Sequence, residues 1–302
     1  EKLGVESKPP VFIHSMWRTG STYVFNKFRK SKNFWCYYEP LNEQLQSSDF
    51  VIFETDPNFY RHNLQSDYFT EFKYLYNELI KIQSNEIPLK SFLLKKTDSN
   101  DILKKYLNSL IHLSPARPSF HFCRSFLRTP FIKENFTGLN IHLYREPRSQ
   151  YKSMFVAPCF IDNYKVILYY HYDHEYIKPL LPLLQYHRPH LENDDSDLRN
   201  LLIKTDRINL FTKEEAYTLF YYFWALSHKI NQKYCELSIS IDLLSSDDEY
   251  RKKVSDELYA EGLGEFDFND CKSPFYQFND EDVCMFEGIE SKVNALIKDL
   301  DV

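Results

Sequence analysis

The chain has 302 residues, 43% of them hydrophobic and 26% charged, enough for one well-buried domain or two small ones. Only six glycines stand against 25 Phe, 23 Tyr and 3 Trp, which excludes collagen-like, glycine-linker and most glycine-rich repeat architectures. The net charge of −6 argues against a general nucleic-acid binder.

That average hides a gradient. Residues 115–153 carry seven Lys/Arg against two Glu, whereas residues 191–302 carry twelve against 25 acids. A basic segment inside an acidic chain suits a small anionic ligand better than a long polyanion. The six cysteines are scattered without a CxxC pair, so zinc and redox motifs are not expected, and reduced thiols in a cytoplasmic protein are. No run approaches 18 apolar residues, and no charged-then-apolar leader opens the chain, so no transmembrane segment is expected. A leader or anchor removed before Glu1 would instead place the protein in a secretory-pathway lumen.

In chain order, Val11 to Met16 is short, apolar and β-rich and reads as a buried strand. The loop Arg18 to Thr22 follows, and Val24, Phe25 and Phe28 then recur at helical spacing up to Lys30. A second short strand spans Phe34 to Tyr37 and leads into Glu39-Pro40-Leu41. Residues 66–84 read as one helix, with Phe69, Phe72, Leu75, Leu79 and Ile80 on a stripe. A further helix covers 100–113. Strands follow at Ser119 to Cys123 and Leu139 to Tyr144, and a helix starts near Pro147. Residues 156–191 have weak periodicity. An aromatic helix at 213–234, a strand at Leu237 to Ile241, a charged helix at 246–260 and an irregular loop at 262–280 complete the reading. Strands alternating with helices predict an α/β fold, a single domain with a central, mainly parallel sheet flanked by helices.

Two strand–turn–helix units carry the chemistry. In the first, Arg18-Thr19-Gly20-Ser21-Thr22-Tyr23 opens a helix, where outward N–H groups and the dipole favour an anion. Gly20 allows a tight turn, Ser21 and Thr22 add hydroxyls, and Arg18 adds a fixed charge. The Walker pattern is not met, because no Lys follows Gly20. The bland alternative is a helix start capped by Thr19 or Ser21. In the second unit, Arg145 ends a strand and Ser153 lies eight residues on, two turns into the next helix. Arg148 and Lys152 fit a solvated basic face better than a ligand site. In open α/β sheets, ligands bind at the carboxyl ends of strands, where both units fall.

The pair resembles the two nucleotide loops of the sulfotransferases that use 3′-phosphoadenosine 5′-phosphosulfate (PAPS). Their first loop reads roughly [RK]-[ST]-G-[ST]-[ST], matched by Arg18 to Thr22, and holds the 5′-phosphosulfate. Their second reads R-[DNE]-P-[RK] with a Ser eight residues after the Arg, matched by Arg145 to Arg148 and Ser153, and holds the 3′-phosphate. The likeness covers about a third of the chain and extends loosely to helix 213–234 and Asp242-Leu243-Leu244.

The resemblance implies a P-loop-like sulfotransferase fold that moves a sulfuryl group from PAPS to an acceptor hydroxyl or amine, leaves the bisphosphate PAP, and requires no metal. Arg18 would stabilise the leaving phosphate. Glu39 resembles the Glu after the second strand in tyrosylprotein and carbohydrate members and would be the base, with Glu43 in reserve. Arg124, just after the third strand, would be a second cation near the transferring group, and Arg128 a weaker one. His14, His121 and His142 fall inside strands and read as core residues; soluble small-molecule members use a His base, which keeps His121 in view. The expected acceptor is a carbohydrate or glycolipid, with 156–191 as an acceptor-side lid. Gly262 and Gly264 are expected near the nucleotide. The competing readings are a nucleotide kinase, which would need Mg²⁺ and ATP, and a catalytically inactive module that binds phosphorylated or sulfated ligands.

Overall fold

A computed structural model describes residues 8–46, 68–84, 86–88, 90–154, 159–189 and 210–302. Five strands, β1 (Val11–Ser15), β2 (Phe34–Tyr38), β3 (Arg117–Phe122), β4 (Leu139–Tyr144) and β5 (Leu237–Ser240), form one sheet in the order β2-β3-β1-β4-β5. Every neighbouring pair is parallel, so the expected α/β class holds and the sheet is wholly rather than mainly parallel. All five residues of β1 are buried, as a central strand covered on both faces requires.

Parallel neighbours need long crossovers, and helices supply them. Helix α1 (Ser21–Lys30) returns the chain from β1 to β2 and buries Val24, Phe25 and Phe28, the stripe read from the sequence. The expected single helix over 66–84 is instead two short helices, α2 (Thr70–Lys73) and α3 (Tyr76–Leu79); residues 66 and 67 lie outside the described residues. Leu75, at φ −108° and ψ 10°, breaks the run. Two anchors hold the first of these helices in place. Arg29 grips Glu71 at 2.9 and 2.5 Å, and Phe72 packs against Tyr37 at 5.1 Å between centroids. Leu79 is fully buried while Ile80 is half exposed, so the stripe does not lie on one face.

Helix α4 (Asp101–Leu113), capped by Asn100, leads to β3. Helix α5 (Thr129–Asn135) joins β3 to β4, and α6 (Pro147–Met154) begins at Pro147 as expected. Helix α7 (Cys159–Tyr170) opens the described part of the proposed lid. Tyr164, Ile167, Leu168, Ile177 and Leu180 are buried there, so much of that segment is core wall. The long helix α8 (Lys213–Tyr234) starts with a capping box between Thr212 and Glu215. After β5 come α9 (Ile241–Ser246), α10 (Asp248–Ala260) and α11 (Asp280–Lys298).

Neither α5 nor α11 is foreseen above. The signal for α11 was present: Asn279 accepts from the N–H of Asp282, and Phe286, Val293 and Ile297 recur on its buried face. Tyr217, Phe220, Tyr221 and Phe223 of α8 are buried among Trp17, Tyr151 and α11, the core role expected of that aromatic stripe. Among the described residues no helix is long and apolar enough to cross a membrane.

His14, His121 and His142 are buried in strands, as read from the sequence. The Nδ1 of His14 contacts Ser125 Oγ at 2.7 Å, and its Nε2 contacts Asn140 Oδ1 at 3.1 Å. Burial lowers His14 from 6.5 to about 4, against the Asn140 contact, and lowers His121 from 6.5 to about 3, with Arg29 adding to it. Both rings therefore fold neutral. A group whose folded pKa is depressed stabilises above its unfolded pKa and loses that contribution as pH falls through the folded value. Stability should fall between pH 6.5 and 4, by about 3 kcal/mol for His14 alone. Urea denaturation at several pH values checks this. His14→Gln should flatten the slope in that window, and an unchanged slope would refute the assignment.

Candidate functional site

A parallel sheet puts all its carboxyl ends on one edge, and here each strand delivers a charged residue there. In sheet order these are Glu39 after β2, Arg124 after β3, Arg18 after β1, Arg145 after β4 and Asp242 after β5. Three cations lie side by side between two acids. The chain leaves β1 toward β2 on one side and β4 toward β5 on the other, so the topological switch point falls between β1 and β4. The two strand–turn–helix units read from the sequence flank that point.

The first loop turns on Gly20, at φ 102°, immediately before α1. No side chain caps this helix, which leaves its leading N–H groups available to an anion. A Cβ on Gly20 would meet Ile241 Cγ2 at 3.0 Å. The hydroxyls expected on the ligand are engaged within the protein. Thr19 Oγ1 donates to the Met16 carbonyl at 2.8 Å, Ser21 Oγ contacts Cys123 Sγ at 3.2 Å, and Thr22 Oγ1 contacts Tyr38 Oη at 2.9 Å. Tyr23 Oη donates to Asp270 at 2.6 Å. What this loop offers a ligand is therefore backbone N–H groups and the Arg18 charge, more than hydroxyls.

Of three non-glycine residues with positive φ among those described, two are Arg18 (65°) and Glu39 (42°), the third being Lys32. Left-handed backbone at such residues costs about 1–2 kcal/mol and persists where the surroundings over-determine it.

The second loop is laced to the first. Gln150 Nε2 donates to the Trp17 carbonyl at 2.8 Å and to Thr19 Oγ1 at 3.0 Å, while Arg18 Nε donates to the Ser153 carbonyl at 3.2 Å. Ser153 Oγ donates to the Gln150 carbonyl at 2.7 Å. Arg145 is buried, with Nη2 donating to the Pro274 carbonyl at 2.5 Å and Nε 3.4 Å from Asp242 Oδ1. That Nε makes no hydrogen bond, and the Asp242 carboxylate also accepts from Ser273 Oγ and the Glu146 N–H. Arg148 forks onto Glu290 of α11 at 2.8 and 2.8 Å, which makes it a strut between α6 and α11.

On the β2–β3 side, Arg124 gathers two carboxylates. Its Nε and Nη2 donate to Glu43 at 2.9 and 2.7 Å, and its Nη1 pairs with Glu39. Burial pushes Glu43 up from 4.5 to about 7, opposed by its own backbone N–H and by the Arg128 charge. The forked Arg124 contact adds to that opposition. Arg128 is fully buried and lowered to about 9, first by burial and then by Arg124.

The late loop also corrects the glycine expectation. The Gly262 carbonyl accepts from Arg117 at the start of β3, and Gly264 lies beside Asn33, so both glycines sit at the opposite, amino edge of the sheet. Residues 273–276 of that loop reach Arg145 instead. Beside them lies a cavity of about 370 Å³ lined by Ser149, Asp242, Ser245, Pro274, Phe275 and Tyr276. A larger groove of about 620 Å³ between α3 and α4 includes none of the strand-end charges. Among the described residues no group of three or more His, Cys, Asp or Glu is placed to hold a metal ion.

Comparison with family models, curated proteins and solved structures finds no match to this chain.

The loop geometry makes a direct forecast. Gly20→Ala should lose about 1–3 kcal/mol, from the unfavourable φ and the Ile241 contact. Chemical denaturation measures it, and a loss under about 0.5 kcal/mol would mean that the loop relaxes freely.

Proposed function

We propose that this chain is a sulfotransferase that takes a sulfuryl group from PAPS and passes it to a hydroxyl or amine, with a carbohydrate or glycolipid as acceptor. The observation that carries the reading is the pair of strand–loop–helix units flanking the switch point, tied by Arg18, Gln150 and the Ser153 carbonyl. A nucleotide bearing anionic groups at both ends needs two such loops at one crevice, and the Arg124–Arg18–Arg145 row supplies the matching charge.

The residues fit that donor substrate in specific ways. The uncapped first turn of α1 and Arg18 would receive the 5′-phosphosulfate. Arg145, whose buried Nε lacks a hydrogen-bond acceptor, would receive the 3′-phosphate by exchanging the Pro274 carbonyl and Asp242 for it. The cavity beside Pro274 and Tyr276 would take the nucleoside.

Transfer joins the acceptor oxygen or nitrogen to sulfur and breaks the bond from sulfur to the bridging oxygen, whose electron pair stays with the phosphate. Arg18 offsets the charge that gathers there, an electrostatic role, since a guanidinium does not give up its proton. Glu39 takes the acceptor's proton, and its pairing with Arg124 orients the carboxylate. The acidic remainder of the chain disfavours a heavily sulfated acceptor.

Thermal shift tests the donor. Adenosine 3′,5′-bisphosphate at a hundred times its Kd should stabilise the protein by about 2.7 kcal/mol, and Arg145→Ala should abolish the effect. Equal or greater stabilisation by ATP-Mg would overturn the reading in favour of a kinase.

Transfer from labelled PAPS to a panel of sugars tests the chemistry. Glu39→Gln should keep bisphosphate binding and lose about 10²–10⁴-fold in rate. Undiminished turnover would remove Glu39 as base, and bisphosphate binding without transfer to any acceptor would favour an inactive binding module.

A further inference from the structure

We propose that Glu43 is a positioning residue that sets the basicity of Glu39 through the cation they share, Arg124. The role of Glu39 as base rests on the sulfotransferase reading, whereas the coupling of the two carboxylates rests on geometry alone.

The two acids are four residues apart, and the turn between them is locked. The Glu39 N–H donates to the His121 carbonyl at 2.8 Å, extending the β2–β3 ladder by one residue, and the Asn42 N–H donates back to the Glu39 carbonyl at 2.9 Å. The Pro40 carbonyl accepts from Tyr106 Oη at 2.7 Å and from Gln46 Nε2 at 3.2 Å. Leu41 and Leu45 are buried beneath the turn. Glu39 itself sits in left-handed backbone at φ 42°. The carboxylates are thereby held to opposite parts of one guanidinium, with Glu43 on the Nε–Nη2 fork and Glu39 on Nη1. Arg124 is fixed in turn by the face of Trp17, 5.5 Å from its Cζ.

Of the other titratable groups around the cluster, Arg128 favours the ionised form of Glu43, and the tyrosine, thiol and imidazole beside it stay uncharged. Burial keeps Tyr38 and Cys123 neutral by raising them, and keeps His121 neutral by lowering it to about 3. Arg128 lies behind Glu43, its Nη2 bonded to the Pro88 carbonyl and its Nε and Nη1 without hydrogen-bond partners. Arg18 lies on the next strand end, with its Nε on the Ser153 carbonyl.

One guanidinium therefore serves two carboxylates. While Glu43 is ionised, it draws on the Arg124 charge and repels a second negative charge, so Glu39 binds a proton more readily. Once Glu43 is neutral, Arg124 acts on Glu39 alone and Glu39 becomes a weaker base. Sites coupled this closely titrate as a pair rather than independently.

The test is a pH titration of side-chain carboxyl carbons by NMR on protein labelled at Glu Cδ, with resonances assigned by Glu39→Gln and Glu43→Gln. In the wild type, the Glu39 resonance should show a second inflection coincident with the Glu43 midpoint. In Glu43→Gln that second inflection should vanish and Glu39 should titrate in one step. The transfer rate should rise with pH through the Glu43 midpoint as Glu39 gains basicity, and this rise should be lost in Glu43→Gln, which a merely structural Glu43 would not produce. A single independent step for Glu39 in the wild type overturns the proposal even if Glu43→Gln fails to fold, and so does a second inflection that persists in a folded Glu43→Gln. Bisphosphate binding by the wild type is measured alongside. Its absence would defeat the sulfotransferase reading and leave the coupling to be decided by the titration.

Discussion

The parallel direction of all five strands is the constraint on which the site depends. Side chains that follow strands β1 to β5 are dispersed along the chain, yet the ladder brings them to one edge because every strand ends there. The result is an ordered row of charge, acid–base–base–base–acid, with Arg18 at its centre. Neighbours pair across adjacent strands, Glu39 with Arg124 and Arg145 with Asp242, so each outer acid sits on the cation beside it. An antiparallel strand anywhere in the sheet would send its residue to the opposite edge and open a gap in the row.

The row is rigid because aromatic packing holds what lies behind it. Trp17, in the first loop, packs edge-on against Phe126 and Tyr164 and faces the Arg124 guanidinium. Tyr151, in the second, packs edge-on against Tyr217 of α8 and Phe286 of α11. The abundance of Phe and Tyr is thus the material of two core clusters rather than a binding platform. The C-terminal helix takes part through Glu290, which receives both the Arg148 fork and the Tyr217 hydroxyl at 2.6 Å. A residue at the far end of the chain therefore sets the orientation of α6. Elsewhere the scarcity of glycine shows in its placement. Gly138 stands where a Cβ would lie 2.6 Å from the Pro10 carbonyl, at the start of the β1–β4 pairing, and Gly20 stands where the β1–α1 loop must turn.

Much of the fold was legible because burial leaves a plain pattern. A strand covered on both faces is dominated by apolar residues, and β1 and β4 read that way although each buries a histidine; α1 and α8 carry their apolar residues at helical spacing. The expectation fails over 66–84. The stripe there suggests one helix, but Arg29 and Tyr37 hold the adjacent Glu71 and Phe72 of α2, and the backbone breaks at Leu75 before α3. Helix α11 carries its Asn279 cap and apolar repeat in the sequence, but its acidic first turn, Asp280 to Asp282, continues the polar, irregular pattern of the loop before it.

For the site, the residue types and loop positions were present in the chain: a glycine at a strand–helix turn, an arginine ending each of two strands, a glutamate after β2. Such features are local, and local chemistry dictates them. Partnership is not local. Glu43 meets Arg124 across 81 residues, and Arg145 meets Asp242 because β4 and β5 are adjacent in space with α6, α7 and α8 between them in sequence. Whether Ser21 and Thr22 face a ligand or the protein likewise turned on Cys123 and Tyr38, which reach them through the sheet. Even the charge gradient of the opening follows this division. The basic segment 115–153 was plain from composition, but folding pairs its Arg124, Arg145 and Arg148 with carboxylates from Glu39 to Glu290, because a buried guanidinium needs an opposing charge and the sheet order selects which one it meets.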